Sequence, residues 1–249
     1  MLTFPNKVAW VVGASRGIGA AVARELTARG ARIVISARDT DQLAQVSRGR
    51  MVTIPTDITD PTTVTAAVAT IQDRLGPLDL VAVSAGYWKQ MSVDAWDTEV
   101  FDRHVKVNLS GLSNTIAAVL PGMLRQRSGV IAGIASVAGY RGLAGSEAYG
   151  ATKAAQINLL ESLRIHLHHT GVRVTTVCPG FVRTDLTADN SFPMPFMIEP
   201  DRAATLICDG LARERTQIVF PRPMAMLMNT ARLMPASLWT ALWTRGASR

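Results

Sequence analysis

The chain is poor in cysteine, in lysine and in aromatic residues. Its two cysteines, Cys178 and Cys208, stand in no metal-binding or disulfide spacing. That excludes a disulfide-stapled scaffold and a cysteine-based zinc module, and it fits a reducing compartment. No uninterrupted apolar stretch reaches the roughly 18 residues that a spanning helix needs. The start, Met1 to Lys7, has no basic segment leading into a long apolar one, so no signal peptide is expected and a cytoplasmic location is. Only four of the 26 basic residues are lysines (Lys7, Lys89, Lys106 and Lys153), and the rest are arginines. The net charge of +7 can draw anionic ligands or lipid. It is not gathered into a basic run or a recognised nucleic-acid motif, so no nucleic-acid partner is expected.

What is present is strand and helix in alternation. Short apolar runs at Val8–Ala14, Arg32–Arg38, Met51–Asp57, Leu78–Ala85, Gly129–Ser136, Arg173–Pro179 and Gln217–Phe220 read as strands. Several are nearly continuous in Val, Ile and Ala, as strands buried on both faces are. Helical patterns lie between them at Gly17–Arg29, Thr40–Val46, Pro61–Leu75, Thr98–Arg125, Ser146–His169 and Pro200–Arg213. Asp60-Pro61 offers an N-cap followed by a proline at N1, while Gly30 and Gly171 follow helix ends. Such alternation predicts an α/β fold, a Rossmann-type doubly wound parallel sheet in a single domain with a helical C-terminal tail. The expected division is a dinucleotide-binding catalytic part over 1–222 and an amphipathic tail over 223–249, in the same domain or at an interface.

Two clusters carry chemistry. The first is Gly13-Ala14-Ser15-Arg16-Gly17-Ile18-Gly19, between the first strand and the first helix. Gly13 permits a tight turn, Gly17 lets the backbone approach a pyrophosphate, and Gly19 lets helix pack on sheet; the helix N-terminus then faces phosphates. After the second strand an NAD site places an acid. This chain has Ala37 and Arg38 there, and Arg16 in the turn. Two guanidiniums suit a 2′-phosphate, which favours NADP. Asp39, one residue late for the acid's role, is the confounder. Asp57, beside Ile58, closes the third strand where a carboxylate can accept from an adenine amino group; a turn or cap aspartate is the alternative.

The second cluster is Ser136, Tyr149 and Lys153, with Asn108 upstream. A tyrosine has a reference pKa of about 10 and is a poor acid-base group at neutrality. A lysine four residues on shares its helix face and is expected to lower that pKa. Ser136 closes a strand that points at the start of the same helix, within reach of the same substrate oxygen. The combination predicts hydride transfer between a nicotinamide cofactor and a carbonyl or alcohol.

The two clusters together resemble the short-chain dehydrogenase/reductase family over about residues 7–222, in its NADP-preferring branch. The resemblance implies an oxidoreductase in which Tyr149 is the general acid or base and Lys153 lowers its pKa and holds the nicotinamide ribose. It implies that Ser136 polarises the substrate oxygen and that the backbone of Asn108 holds a proton-relay water. Pro179-Gly180-Phe181-Val182-Arg183-Thr184 resembles the segment that sets Val182 and Thr184 against the carboxamide. Ser84-Ala85-Gly86 stands where the family usually reads Asn-Ala-Gly, and a serine there keeps one donor and acceptor but loses reach.

His166, His168 and His169 crowd a helix C-terminus, where histidine is favourable, and no metal is expected there. Tyr87 and Trp88 follow the fourth strand as pocket lining or as packing. Asp185–Ile198, with Phe192, Met194 and Phe196, is expected to form a substrate lid and points to a lipophilic substrate. In the tail, Met224, Leu227, Ala231, Met234, Leu238 and Leu242 follow helical spacing among Arg222, Arg232, Arg245 and Arg249, and Pro235 should break or bend it. That apolar stripe calls for cover by its own domain, by a second copy in a homo-oligomer, or by a membrane surface. A non-catalytic NADP-sensing scaffold and a membrane-surface lipid ketone reductase remain the alternative functions.

Overall fold

The structure, a computed structural model, describes residues 2–188, 190 and 192–246. Among these residues seven strands form one sheet: β1 Val8–Val12, β2 Arg32–Ser36, β3 Val52–Thr53, β4 Leu80–Val83, β5 Gly129–Ile134, β6 Val172–Pro179 and β7 Gln217–Phe220. All neighbours pair in parallel, in the order β3-β2-β1-β4-β5-β6-β7. The strand order reverses between β1 and β4, and the C-terminal ends of both strands face the crevice where such sheets bind ligands.

Alternation along each strand feeds two cores. Ala9, Val11, Ile33, Ile35 and Ala132 point to the side covered by α1 (Gly17–Ala28) and α8 (Pro200–Ala212). Val8, Trp10, Val12, Val34 and Ile131 point to the side covered by α3 (Pro61–Leu75), α5 (Gly111–Arg125) and α6 (Glu147–His166). Trp10 is wholly buried yet satisfied, because its indole N–H donates to Ser36 Oγ at 2.9 Å. At the end of the sheet away from the crevice, Asp79 clips β1 to β4. Its Oδ1 accepts from Lys7 Nζ at 2.8 Å and its Oδ2 from the Val8 N–H at 2.9 Å.

The observed strands end earlier than the apolar runs of the sequence. Gly13-Ala14, Ala37-Arg38, Ala85 and Ala135-Ser136 leave the ladder at its C-terminal edge and become the loops that face the crevice. The helix expected over Thr98–Arg125 is continuous but not uniform. It runs as α4 (Thr98–His104), a π-helical stretch Val105–Ser110, and α5. By length and composition alone this segment could cross a membrane. Its Leu112, Ile116, Val119 and Met123 are nevertheless buried against the sheet, as in a core helix. α2 (Thr40–Ser47) and a short α7 (Asp185–Ala188) are the remaining α-helices before Arg222 among the described residues.

The tail folds as α9 (Arg222–Leu233) and α10 (Ala236–Gly246), broken at Pro235 as its sequence requires. The stripe itself differs from expectation. Met224, Met228 and Ala231 are buried, whereas Leu227, Leu238 and Leu242 are at least half exposed. The break re-aims the second helix, so a single helical phase no longer holds across both.

Candidate active site

The glycine turn is built by close approach. Gly13 has φ +81°, and a Cβ there would lie 2.3 Å from the backbone N of Ala85. The turn is thereby pressed onto Ser84-Ala85-Gly86 across the switch point. A Cβ on Gly86, by contrast, would meet only Asn108 Oδ1 at 3.7 Å and Lys153 Nζ at 4.0 Å, which leaves a cradle between the cofactor edge and the lysine. Ser84 is held through its backbone, its N–H donating to Val12 O at 2.8 Å. Thr184 closes over the turn, 3.1 Å from where a Gly17 Cβ would stand. A dinucleotide fits these residues: a tight turn opening α1, an open cradle beside the lysine, and a threonine above it.

Asp39 is the N-cap of α2, its Oδ1 accepting from the Asp41 and Gln42 N–H groups at 3.0 Å. Its carboxylate is thus committed to the helix end. Arg16 pairs with Asp185 at 3.1 Å, but both side chains are mostly exposed, so the pair is weak and open to exchange. Asp57 spends one carboxylate oxygen on Thr59, accepting from its N–H at 2.9 Å and its hydroxyl at 2.8 Å. The turn role foreseen as an alternative is therefore present.

Ser136, Tyr149, Lys153 and Asn108 come together. β5 delivers Ser136, which starts a 3-10 turn (Val137–Gly139) and accepts from the Ala138 N–H at 3.1 Å. Gly139 brings that turn hard against α6, where a Cβ would lie 2.6 Å from the Lys153 carbonyl carbon. Lys153 Nζ donates to Ile134 O at 2.9 Å and to Gln156 Oε1 at 3.0 Å, and lies 5.4 Å from the centre of the Tyr149 ring. Asn108 sits wholly buried in the π-helical stretch. Its Oδ1 accepts from the Tyr87 N–H at 2.7 Å, and its Nδ2 donates to Tyr87 O at 3.1 Å and Thr152 Oγ1 at 3.0 Å. Irregular turns of this kind inside helices mark functional positions.

One expectation is overturned. Tyr149 is not lowered by the lysine. Burial pushes its pKa up to about 12, with a hydrogen bond to Ser136 pulling weakly the other way. Lys153 is itself pushed down to about 8 by burial. Both charged forms lose water on burial, and that penalty sets the direction of both shifts. At pH 7 the pair holds a neutral phenol beside a protonated amine.

Three neighbours complete the wall; the sequence named Trp88 as pocket lining or packing but gave no role to His104 or Gln156. His104, fully buried, packs edge-on against Tyr87 at 4.7 Å and lies 6.4 Å from the Tyr149 ring. Its Nδ1 donates to Val100 O at 2.7 Å and its Nε2 accepts from the Lys89 N–H at 3.2 Å. Burial lowers its pKa, so it is a neutral wall. Trp88 stands edge-on to Tyr149 at 5.2 Å, and its indole N–H donates to Asn190 Oδ1 at 2.9 Å. That bond ties the active-site wall to the segment expected to be the lid. A parallel bridge between Val182 and Ile198 pins the base of that segment, with Arg183 paired to Glu199 at 2.8 Å. Beneath it lies a cavity of about 340 Å³ bordered by Thr184, Thr187, Met194 and Met197. Gln156 is the third; its only sequence signal is a place one helical turn beyond Lys153.

Known proteins resemble this chain in sequence and fold. The family model described as short chain dehydrogenase matches residues 7–193. An uncharacterized oxidoreductase of Myxococcus xanthus (strain DK1622) is 36% identical over 247 residues, covering 97% of this chain and 98% of that protein. A crystal structure of actinorhodin polyketide ketoreductase with NADPH superposes with a TM-score of 0.79 at 26% identity, covering 88% of this chain and 97% of that one. A short chain dehydrogenase/reductase from Burkholderia phymatum in complex with NAD gives 0.84 at 21% identity, over 92% and 94% of the two chains, a likeness of fold alone. The chain belongs to the short-chain dehydrogenase family, a family of oxidoreductases.

Proposed function

We propose that this protein is an NADP-dependent oxidoreductase that interconverts a ketone or aldehyde and its alcohol, working as a reductase. The observation that carries the reading is the meeting of Ser136, Tyr149 and buried Lys153 at the C-terminal edge of β5 and β6. Nicotinamide, when bound, supplies the hydride. Ser136 orients the substrate oxygen, and Tyr149 gives it a proton from its hydroxyl. Tyr149 is protonated at neutral pH, so the proton that the substrate oxygen takes is in place there. Lys153 keeps a positive charge beneath the phenol and faces the cradle at Gly86, where a nicotinamide ribose would lie.

The cofactor-binding set is Gly13, Ser15, Arg16, Gly17, Ile18 and Gly19 for the pyrophosphate and Arg38 for the adenosine end. Asp57 and Ile58 flank the adenine, and Ser84, Ala85 and Gly86 form the floor. Asn108, Tyr149 and Lys153 stand at the ribose, with Pro179, Gly180, Val182 and Thr184 on the carboxamide. NADP is favoured over NAD because Arg16, in an exposed and exchangeable pair with Asp185, and exposed Arg38 can both turn to the ribose end while Asp39 is held as a helix cap. Trp88 beside Tyr149, and the cavity bordered by Met194 and Met197, favour a lipophilic carbonyl compound. Two free, buried cysteines suit a cytoplasmic enzyme. The exposed leucines of α10 are best covered by a second copy, as a homo-oligomer.

Fluorescence titration with both cofactors, followed by a panel of aldehydes and ketones, tests the reading. NADPH should bind about ten- to a hundredfold tighter than NADH, the worth of a charged hydrogen bond. A carbonyl compound should drive its oxidation. Tighter NADH refutes the cofactor choice, and binding without turnover across the panel favours a non-catalytic sensor.

A further inference from the structure

Gln156 bridges two parts of the active site that the sequence left to a water. Its Oε1 accepts from Lys153 Nζ at 3.0 Å, and its Nε2 donates to the backbone carbonyl of Asn108 at 2.5 Å. All three groups are essentially buried, Gln156 at 3% exposure. The orientation of the amide is forced. An ammonium can only donate, so the atom facing it must be the oxygen; a carbonyl can only accept, so the atom facing it must be the nitrogen. The carbonyl it takes is the one expected to hold a relay water. A side-chain amide carried by α6 takes one of that carbonyl's two acceptor positions.

We propose that Gln156 is a positioning residue: it ties Lys153 to the π-helical stretch of Asn108 and aims the ammonium at Tyr149 and the cofactor cradle. Lys153 has a second anchor, Ile134 O at the end of β5. The amine is therefore held between the sheet edge and the helix break by two acceptors, and it keeps one N–H for a ligand. Through the other face of the amide, the same residue fixes the stretch whose Asn108 side chain holds Tyr87 and Thr152. A water at this place would exchange and wander; the glutamine cannot. It costs the chain a buried polar side chain, which the two hydrogen bonds satisfy.

The inference rests on the proposed reductase reading, and its test separates the two. Gln156→Met keeps length and removes both hydrogen bonds, while Gln156→Glu keeps the acceptor for Lys153 and removes the donor to Asn108. With only four lysines in the chain, the Lys153 side chain can be followed by carbon NMR in the protein without cofactor. In Gln156→Met the Lys153 titration midpoint should fall by about one pH unit, and in Gln156→Glu it should rise above wild type. In turnover, kcat for carbonyl reduction should fall about ten- to a hundredfold in Gln156→Met, with the alkaline limb of its pH profile moved to lower pH. Gln156→Glu should restore the limb but not the full rate. If the Lys153 midpoint is the same in wild type and both variants, the proposal is overturned, whatever happens to melting temperature. If Gln156→Met does not fold, Gln156→Glu decides alone by the same midpoint. A wild-type protein that turns over no carbonyl compound defeats the reductase reading while leaving the lysine titration to judge the bridge.

Discussion

Helix α6 and helix α10 treat their side chains in opposite ways. α6 buries a lysine, a glutamine and a threonine in its first half. α10 leaves Leu238, Leu242 and Trp243 about half exposed. Burying a polar group costs free energy unless it is hydrogen-bonded, and in α6 each of those three is: Thr152 to Asn108, Lys153 to Ile134, Gln156 to Asn108. The apolar groups of α10 have no such demand for partners, only for cover. α9 lies between the two cases. Its Met224 and Met228 join Ala135, Val137 and Cys178 in a small core behind the active-site turn. The tail is also moored polar to polar: Arg141 donates to Met234 O at 2.5 Å and the Trp239 indole to Gly142 O at 2.8 Å. Both moorings fall on the loop that follows Ser136. The comparison teaches that the buried polar groups of α6 are held by hydrogen bonds within the candidate site, while the tail is tied to the loop behind it and otherwise faces outward.

The largest expected effect breaks the α6 side of the comparison. Tyr149→Phe removes one hydroxyl and should lower turnover by about 10²–10⁴-fold, the usual worth of a general acid, with NADPH affinity nearly unchanged. A variant that keeps more than about a tenth of the wild-type rate refutes the role.

A pH profile sharpens the same side. Lys153 stands at about 8, below its ordinary value of 10.5. Its charge is present below that pH and lost above it, so kcat/KM for reduction should hold at neutrality and fall as pH rises through about 8. The stability linkage has the opposite sign to the activity. A lysine whose folded pKa is depressed destabilises the fold fully below about 8, and the penalty is relieved as pH rises toward 10.5. The Tyr149 contribution, with its raised pKa, is present below pH 10 and lost between there and about 12. A flat profile from pH 7 to 9.5 would count against the lysine's placement.

The smallest effects compare the two tail helices. Met228→Ala empties part of the core behind Ser136 and should cost about 2–5 kcal/mol, seen as a drop of several degrees in melting temperature. Leu242→Ala should change the stability of the separate protomer by less than about 0.5 kcal/mol. Ending the chain at Met234 should lower the mass seen in sedimentation if a second copy covers α10. An unchanged mass together with lost binding to anionic vesicles assigns that face to lipid instead.

The fold was legible because its signals are local. Strand runs, helix caps such as Asp60-Pro61, and the spacing of Gly13, Gly17 and Gly19 need only near neighbours to mean something. Ser136, Tyr149 and Lys153 were legible for the same reason, a strand end followed at short range by one helix turn. Asp39 was not, since an aspartate one place late reads equally as cofactor ligand or cap until the helix is seen to begin beside it. The Tyr149 pKa was misjudged because spacing shows that a charge is near but not that both groups are dry. The tail stripe slipped at Leu227 because the buried face of α9 runs through Met224, Met228 and Ala231 and leaves Leu227 beside it, and at Leu238 and Leu242 because Pro235 resets the helical phase.

By itself, then, the sequence determined the parallel sheet, the glycine turn at its crevice and the identity of the four residues that gather there, because backbone conformation and apolar periodicity are set within a few residues. Only the tertiary structure decided that Asn108 lies in a π-helical stretch, that Gln156 joins its carbonyl to Lys153, and that Trp88 holds Asn190 from 102 positions away. Burial and hydrogen bonds between distant elements exist only once the elements have packed, and they set which groups are charged, which are fixed and which remain open to a ligand.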